Sequence, residues 1–229
     1  MNVVGPEHVR SMVASSRPCR QLAAQLRWCG GAAGEALPLV VIVDMENSDG
    51  SIYKGDEPDL IERDELAGVA EVVYTGADSI EDIDPALLAQ AAGVLLRRCP
   101  FGAPQLAALP QLKSIVRMGA GYDNVDIPAT QAAGVVASNC PDAWVEEVAD
   151  HALGLLLALY RRTLHLVETA SAGGWTRQAN LQQQKMKRIR GQRLGVVGVG
   201  RIGTAVILRA KAFGFALSIY DPGLPSPGR

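Results

Sequence analysis

The chain has 229 residues, 48% of them hydrophobic and 20% charged, with a formal net charge of -2. At about 150 residues per domain this is one large domain or about one and a half ordinary ones, with enough apolar residues for a core and too little net charge to favour disorder. That charge gives no general field for nucleic acid, and the longest apolar run, Leu153 to Tyr160, is far too short to span a bilayer.

Residues 1–37 differ from the rest. They carry Arg10, Arg17, Arg20 and Arg27 with Ser11, Ser15 and Ser16, and no acid between Glu7 and Glu35. A transit peptide and a flexible extension without an address both fit this composition, whereas a secretory signal lacks its apolar stretch. Cys19, Cys29, Cys99 and Cys140 form no CxxC pair, and His8, His151 and His165 stand outside metal-ligand spacing, so reduced thiols and no metal are expected. The cytoplasm is the expected compartment, or an organelle if the leading segment is a transit peptide.

From Pro38 a βα rhythm begins. Short Val/Ile/Leu runs at Leu39–Val43, Glu71–Tyr74, Gly93–Leu96, Ser114–Arg117 and Val135–Ser138 start about 21 to 32 residues apart. They are too short for helices and too continuously apolar for a sheet with one wet face, which predicts a parallel sheet covered by helices on both sides. Asp84-Pro85 before Ala86–Ala92, and Ile127-Pro128 with Gly134 beyond, supply helix edges. Residues 38–140 therefore read as one α/β lobe.

Residues 141–229 follow as a long helix, a linker and a single βαβ unit. Asp142 is the expected cap, with Glu146, Glu147 and Asp150 at the start of the helix and Arg161 and Arg162 at its end. Ala152–Leu159 is apolar nearly all round, which predicts burial between lobes or subunits. Residues 171–193 read as loop or linker, and their basic residues from Lys185 to Arg193 suit either solvent or phosphate.

The stretch Leu194–Gly203 places Gly198, Gly200 and Gly203 in GxGxxG spacing, with Val199, Arg201 and Ile202 between them. A strand precedes it, a helix over about 201–213 follows, and a second strand, Ala216–Tyr220, ends at Asp221, 18 residues beyond Gly203. In a dinucleotide fold the first glycine permits the tight turn, the second lets backbone approach the pyrophosphate, and the third lets helix pack on strand. Asp221 would accept from a ribose 2′-OH and repel a 2′-phosphate, favouring NAD over NADP. The alternative is a glycine turn that binds nothing. A second glycine segment, Arg117–Asn124, follows the fourth run; Gly119–Gly121 there form either a small N–H nest for an anion or a turn needing positive φ.

Two weaker patterns fail. Asp44–Gly50 resembles a calcium loop, but aligning its glycine puts Met45 at the first ligand position. His151 and His165, 14 residues apart, would be about 21 Å apart along a helix and cannot share a metal.

Together, Ile115–Asp126, Val145–Asp150 with Leu159–Thr163, Ile189–Gly191, the fingerprint, Leu208–Phe215 and Tyr220–Pro222 make the chain similar to the D-isomer specific 2-hydroxyacid dehydrogenases, and most to their C-terminal binding protein corepressor branch. The likeness runs from about Pro38 to Gly228. It implies a flavodoxin-like substrate lobe, an incomplete Rossmann NAD-binding lobe and a homodimer formed through the NAD lobe. Backbone at Ala120 and Gly121 would face the substrate carboxylate and nicotinamide, and Gly198–Gly203 with Asp221 would hold the dinucleotide. Ala120 departs from the serine expected in the corepressors.

The family's catalytic arginine, glutamate and histidine lie downstream of the first βαβ unit, so no catalytic residue is assigned and the chain alone is expected to be inactive, with weak affinity for NADH. Three readings stand: a dehydrogenase-family protein for small 2-hydroxy or 2-oxo acids, an NADH-responsive corepressor-like module in the nucleus that recruits peptides, and a non-functional truncated fragment.

Overall fold

The computed structural model describes residues 17–28, 36–44, 61–173 and 186–224. They belong to two compact units, Met1–Ala143 and Trp144–Arg229.

The first unit is built on a five-stranded sheet of β1 (Leu39–Ile42), β2 (Glu71–Tyr74), β3 (Ala91–Leu96), β4 (Ser114–Arg117) and β5 (Val136–Asn139). The order is β2-β1-β3-β4-β5 and every pairing is parallel, the flavodoxin-like arrangement. All six residues of the central β3 are buried, as a run with two covered faces requires.

One face packs Val41, Val94, Leu96 and Ile115 against Phe101, Leu109 and Val125. The other packs Val40, Ile42, Leu95 and Val116 against Leu22, Ala23, Leu26 and Leu66.

The second face corrects an expectation. Within the segment expected to be a flexible extension or transit peptide, Arg17–Trp28 forms a helix, α1, that docks on the sheet. Leu22, Ala23 and Leu26 share one stripe at helical spacing and are buried. Gly93 keeps β3 low beneath them: a Cβ there would meet Val40 Cγ2 at 3.0 Å and Leu22 Cδ1 at 3.4 Å. Ser114, fully buried on β4, donates to Gln25 Oε1 and fixes the helix in register.

The other helices of this unit are short: α2 (Ile61–Glu65), α3 (Pro85–Leu88), α4 (Ala103–Ala107) and α5 (Ile127–Ala132). Asp84 caps α3 through the Ala86 N–H at 2.8 Å, and Asp126 caps α5 through the Ala129 N–H at 3.0 Å. Helix α3 ends earlier than expected, because Ala91 and Ala92 belong to β3.

In the second unit, α6 (Val145–Arg161) and α7 (Thr163–Ser171) are separated by Arg162, which adopts a left-handed φ of 53°. The N-cap position of α6 is Trp144, at φ 65°, in place of the expected Asp142. A two-stranded parallel sheet of β6 (Arg193–Val197) and β7 (Ala216–Tyr220) brackets α8 (Arg201–Ala212).

Leu153, Ala210 and Phe215 form the small core, with Tyr160 edge-on to Phe215 at 5.7 Å between ring centroids. Arg209 joins α8 to α6 by donating to Asp150 at 2.5 Å and to Glu146. Only one side of α6 is buried in this core; Leu155 and Leu159 on the other side are 60% and 75% exposed. The calcium-like pattern after Asp44 and most of the linker between Gly174 and Lys185 lie outside the described residues.

Candidate functional site

The fingerprint is assembled from the end of β6, the start of α8 and the end of β7. Gly198 adopts φ 91°, a left-handed value that favours glycine, and donates its N–H to Tyr220 O at 2.8 Å. A Cβ on Gly203 would run into the backbone carbonyl of Gly198, so only glycine lets α8 pack here. A Cβ on Gly200 would meet nothing within 4 Å, so the space above it is open. Gly200 is also the N-cap of α8 and provides no side-chain cap, leaving the first turn without that partner.

Asp221 stands where the second strand ends. Its Oδ2 accepts the Val199 N–H at 2.6 Å and its Oδ1 the Gly223 N–H at 2.8 Å. Those two hydrogen bonds, that from Val199 first, hold its carboxyl below the ordinary value of 3.8. Val199 therefore directs its N–H to Asp221, and its carbonyl accepts from Thr204 Oγ1 at 3.2 Å. Arg201 and Ile202 occupy the first turn of α8, both exposed. The strand–glycine turn–helix–strand–acid geometry of a dinucleotide fold is thus present.

The second glycine segment leaves the carboxyl end of β4. Gly119 is buried, and its N–H is spent on Arg117 O at 2.9 Å, so it is not a donor of the expected nest. Ala120 and Gly121 are exposed, and their N–H groups have no partner among the described residues. Asn139 at the end of β5 clamps the turn by donating Nδ2 to Ala120 O at 2.7 Å, while Cys140 N–H donates to Gly119 O at 3.0 Å.

Beside the turn lies a cavity of about 240 Å³ lined by Arg117, Tyr122, Val125, Ile127, Ser138 and Asn139 among others. Arg117 Nε and Ser138 Oγ are buried there without a hydrogen-bond partner. A cation and a hydroxyl with unmet capacity, in a cavity whose Asn139 also clamps the Ala120–Gly121 turn, suit a small anion.

Sequence reasoning missed Arg117, Ser138 and Asn139 as site residues. The available signal was polar residues closing the buried strands β4 and β5 at the sheet edge where parallel folds place ligands. His151 and His165, on α6 and α7, line neither this cavity nor the fingerprint turn.

The family model described as the catalytic domain of D-isomer specific 2-hydroxyacid dehydrogenases matches residues 47–211. C-terminal-binding protein 1 of Caenorhabditis elegans is 36% identical over 161 residues, 69% of this chain and 22% of that protein. D-3-phosphoglycerate dehydrogenase of Methanocaldococcus jannaschii is 40% identical over 115 residues, 50% of this chain and 21% of that protein.

Among solved structures, the NADPH-dependent glyoxylate/hydroxypyruvate reductase of Sinorhizobium meliloti, in complex with NADP and malonate, superposes with a TM-score of 0.59 at 27% identity. That match covers 82% of this chain and 56% of the reductase. The chain thus spans about a fifth of the length of these curated relatives and just over half of that solved structure. With most of its length matched by the family model, the chain belongs to the D-isomer specific 2-hydroxyacid dehydrogenase family.

Proposed function

We propose that the chain binds NAD(H) through Gly198–Gly203 and Asp221, and the carboxylate of a small 2-hydroxy or 2-oxo acid through the Ala120–Gly121 turn. The observation that carries this reading is the fingerprint itself: Gly203 packed on the Gly198 carbonyl, open space over Gly200, and Asp221 braced against Val199.

When bound, a nicotinamide dinucleotide supplies the two-electron redox chemistry of the family. The chain's own residues bind and orient. The uncapped first turn of α8 presents N–H groups to the pyrophosphate, and Asp221, kept ionised by its two N–H donors, accepts from a ribose hydroxyl. Its negative charge disfavours a 2′-phosphate, so NADH is preferred although the Sinorhizobium meliloti reductase holds NADP. In the first unit, Ala120 and Gly121 offer N–H donors and Arg117 a guanidinium to an anionic carboxylate. We assign these residues binding and orientation and no proton transfer, and propose that the chain binds without turning substrate over.

The test is titration with NADH and NADPH followed by amide NMR, with a turnover assay on a panel of 2-oxo acids. Weak, saturable shifts at Gly198–Gly203 with NADH, smaller ones with NADPH and no turnover are expected. Unmoved fingerprint amides at millimolar NADH would refute dinucleotide binding; turnover by the 229-residue chain would refute the lack of an acid/base.

A second reading, a corepressor-like module that recruits short peptides through the first unit, is favoured by the match to C-terminal-binding protein 1 over 69% of the chain. Peptide pull-down with the isolated chain separates the two, and retention of no peptide sinks it. The dehydrogenase reading goes with the cytoplasm and the corepressor reading with the nucleus. No helix among the described residues is long and apolar enough to cross a membrane. A homodimer through the second unit would cover the apolar residues Leu155, Leu159, Leu164 and Val167 that α6 and α7 leave exposed, and sedimentation would detect it.

A further inference from the structure

Parallel α/β sheets bind ligands outside the carboxyl ends of their strands, by preference where the strand order reverses. In the order β2-β1-β3-β4-β5 that reversal lies between β1 and β3, and here the protein's own side chain fills it. Asp44, two residues past β1, is only 9% exposed and adopts a left-handed φ of 52°. Its backbone N–H donates to Ala77 O at 2.9 Å, which places the residue firmly at the strand end.

The carboxylate then collects three consecutive N–H groups from the turn after β3. Arg97 N–H donates to Oδ1 at 2.7 Å, Cys99 N–H to Oδ2 at 2.7 Å, and Arg98 N–H also to Oδ2. Three donors on one buried carboxylate make a turn held by charge-assisted hydrogen bonds, stronger than neutral ones.

The same turn is tied to the segment that closes the glycine loop. Asn124 Nδ2 donates to Cys99 O at 2.8 Å, Phe101 N–H to Asn124 O at 2.8 Å, and Asp126 N–H to Phe101 O at 2.8 Å. A parallel bridge between Phe101 and Val125 completes the tie. The glycine loop is thus clamped on one side by Asn139 at the end of β5, and on the other through the β3 turn that Asp44 holds.

We infer that Asp44 is a positioning residue for the Ala120–Gly121 donors: its carboxylate orders the Arg97–Cys99 turn, and that turn fixes the far end of the glycine loop. The relevance to ligand binding rests on the function proposed above, but the ordering does not, and hydrogen exchange reads it without any ligand.

The experiment is hydrogen exchange by mass spectrometry on the full chain, comparing native protein with Asp44→Asn and Asp44→Gly. Asparagine keeps the size but turns an amide donor toward N–H donors; glycine removes the acceptor and tolerates the left-handed φ. In both variants, exchange over residues 97–101 and 119–126 is expected to rise at least about tenfold, the scale of one lost hydrogen bond to a charged group, while strand β4 stays near native. Formate, a free carboxylate that fits the space left by Asp44→Gly, is expected to return both segments toward native rates.

A rise confined to residues 97–101 would overturn the proposal, because the turn would then not carry the loop. An equal rise across β4 in both variants would overturn it as loss of the whole fold, and indifference of Asp44→Gly to formate would remove the carboxylate as the ordering group. If the exchange pattern appears but the native chain binds no 2-oxo acid, the proposed ligand role fails and the positioning role stands.

Discussion

Gly203 sits so close to the Gly198 carbonyl that a Cβ on it would fall far inside 3.0 Å, whereas a Cβ on Gly200 in the same motif would meet nothing within 4 Å. The two glycines therefore differ: Gly203 is required for packing, whereas Gly200 is proposed to leave room for a ligand. Gly203→Ala forces backbone apart and is expected to destabilise the second unit by about 1–3 kcal/mol. Gly200→Ala is expected to leave thermal stability nearly unchanged and to abolish NADH-induced amide shifts. Denaturant unfolding and NADH titration on both variants check this; native NADH-induced shifts in Gly200→Ala would show that the open space over Gly200 is not a ligand's.

Asp221 braces the turn and is proposed to read the ribose. Its carboxyl is depressed below the ordinary 3.8 by the Val199 and Gly223 N–H groups. A depressed folded value means that its contribution is present above 3.8 and is lost as pH falls through the lower folded value. Protection of the Val199 amide should therefore persist through pH 5 and fade only under stronger acid. Asp221→Ser should weaken NADH binding and narrow its preference over NADPH; a variant with the native preference would dismiss Asp221 as the discriminating group.

What could be read from the sequence was local. GxGxxG spacing, the Asp84 cap and the buried Val/Ile runs are each set by neighbours a few residues away, and each appears in the structure. The partners of Asp44 are 53 to 55 residues away, so no local pattern around it marks its role.

Gly119 belonged to the expected nest on composition, but a hydrogen bond to Arg117 O two residues back uses its N–H. Arg and Ser content hid α1, although Leu22 and Leu26 at i and i+4 already marked one apolar face. Asp142 had the chemistry of a cap, and yet the turn of chain after β5 places Trp144 at that position.

The docking of α1 predicts a stability effect that a flexible extension would not show. Leu22 is fully buried among Val40, Ala92, Leu95 and Val116. Leu22→Ala should cost about 2–5 kcal/mol, the range for a leucine removed from a packed core. The check is urea unfolding followed in the first unit. A change of a few tenths of a kcal/mol would return the segment to the status of an appendage, as the transit-peptide reading requires.

Cys99 gives the alkaline counterpart. It is 5% exposed, and burial first, then the charges of Asp44 and Glu81, push its thiol from an ordinary 9.0 up to about 12. Because the folded value is raised, the neutral thiol's contribution is full below 9.0 and is lost as pH climbs through about 12. Between those limits the unfolded chain ionises while the folded one does not, which favours unfolding. Alkylation of Cys99 by iodoacetamide should therefore be slow at pH 8 and remain slow at pH 10 while the fold holds, since the thiolate is the reactive form. Replacement by alanine should remove this group's share of the alkaline destabilisation. Peptide mapping after timed alkylation measures the rate, and rapid labelling of Cys99 in native buffer would show that the turn held by Asp44 opens far more often than its hydrogen bonds imply.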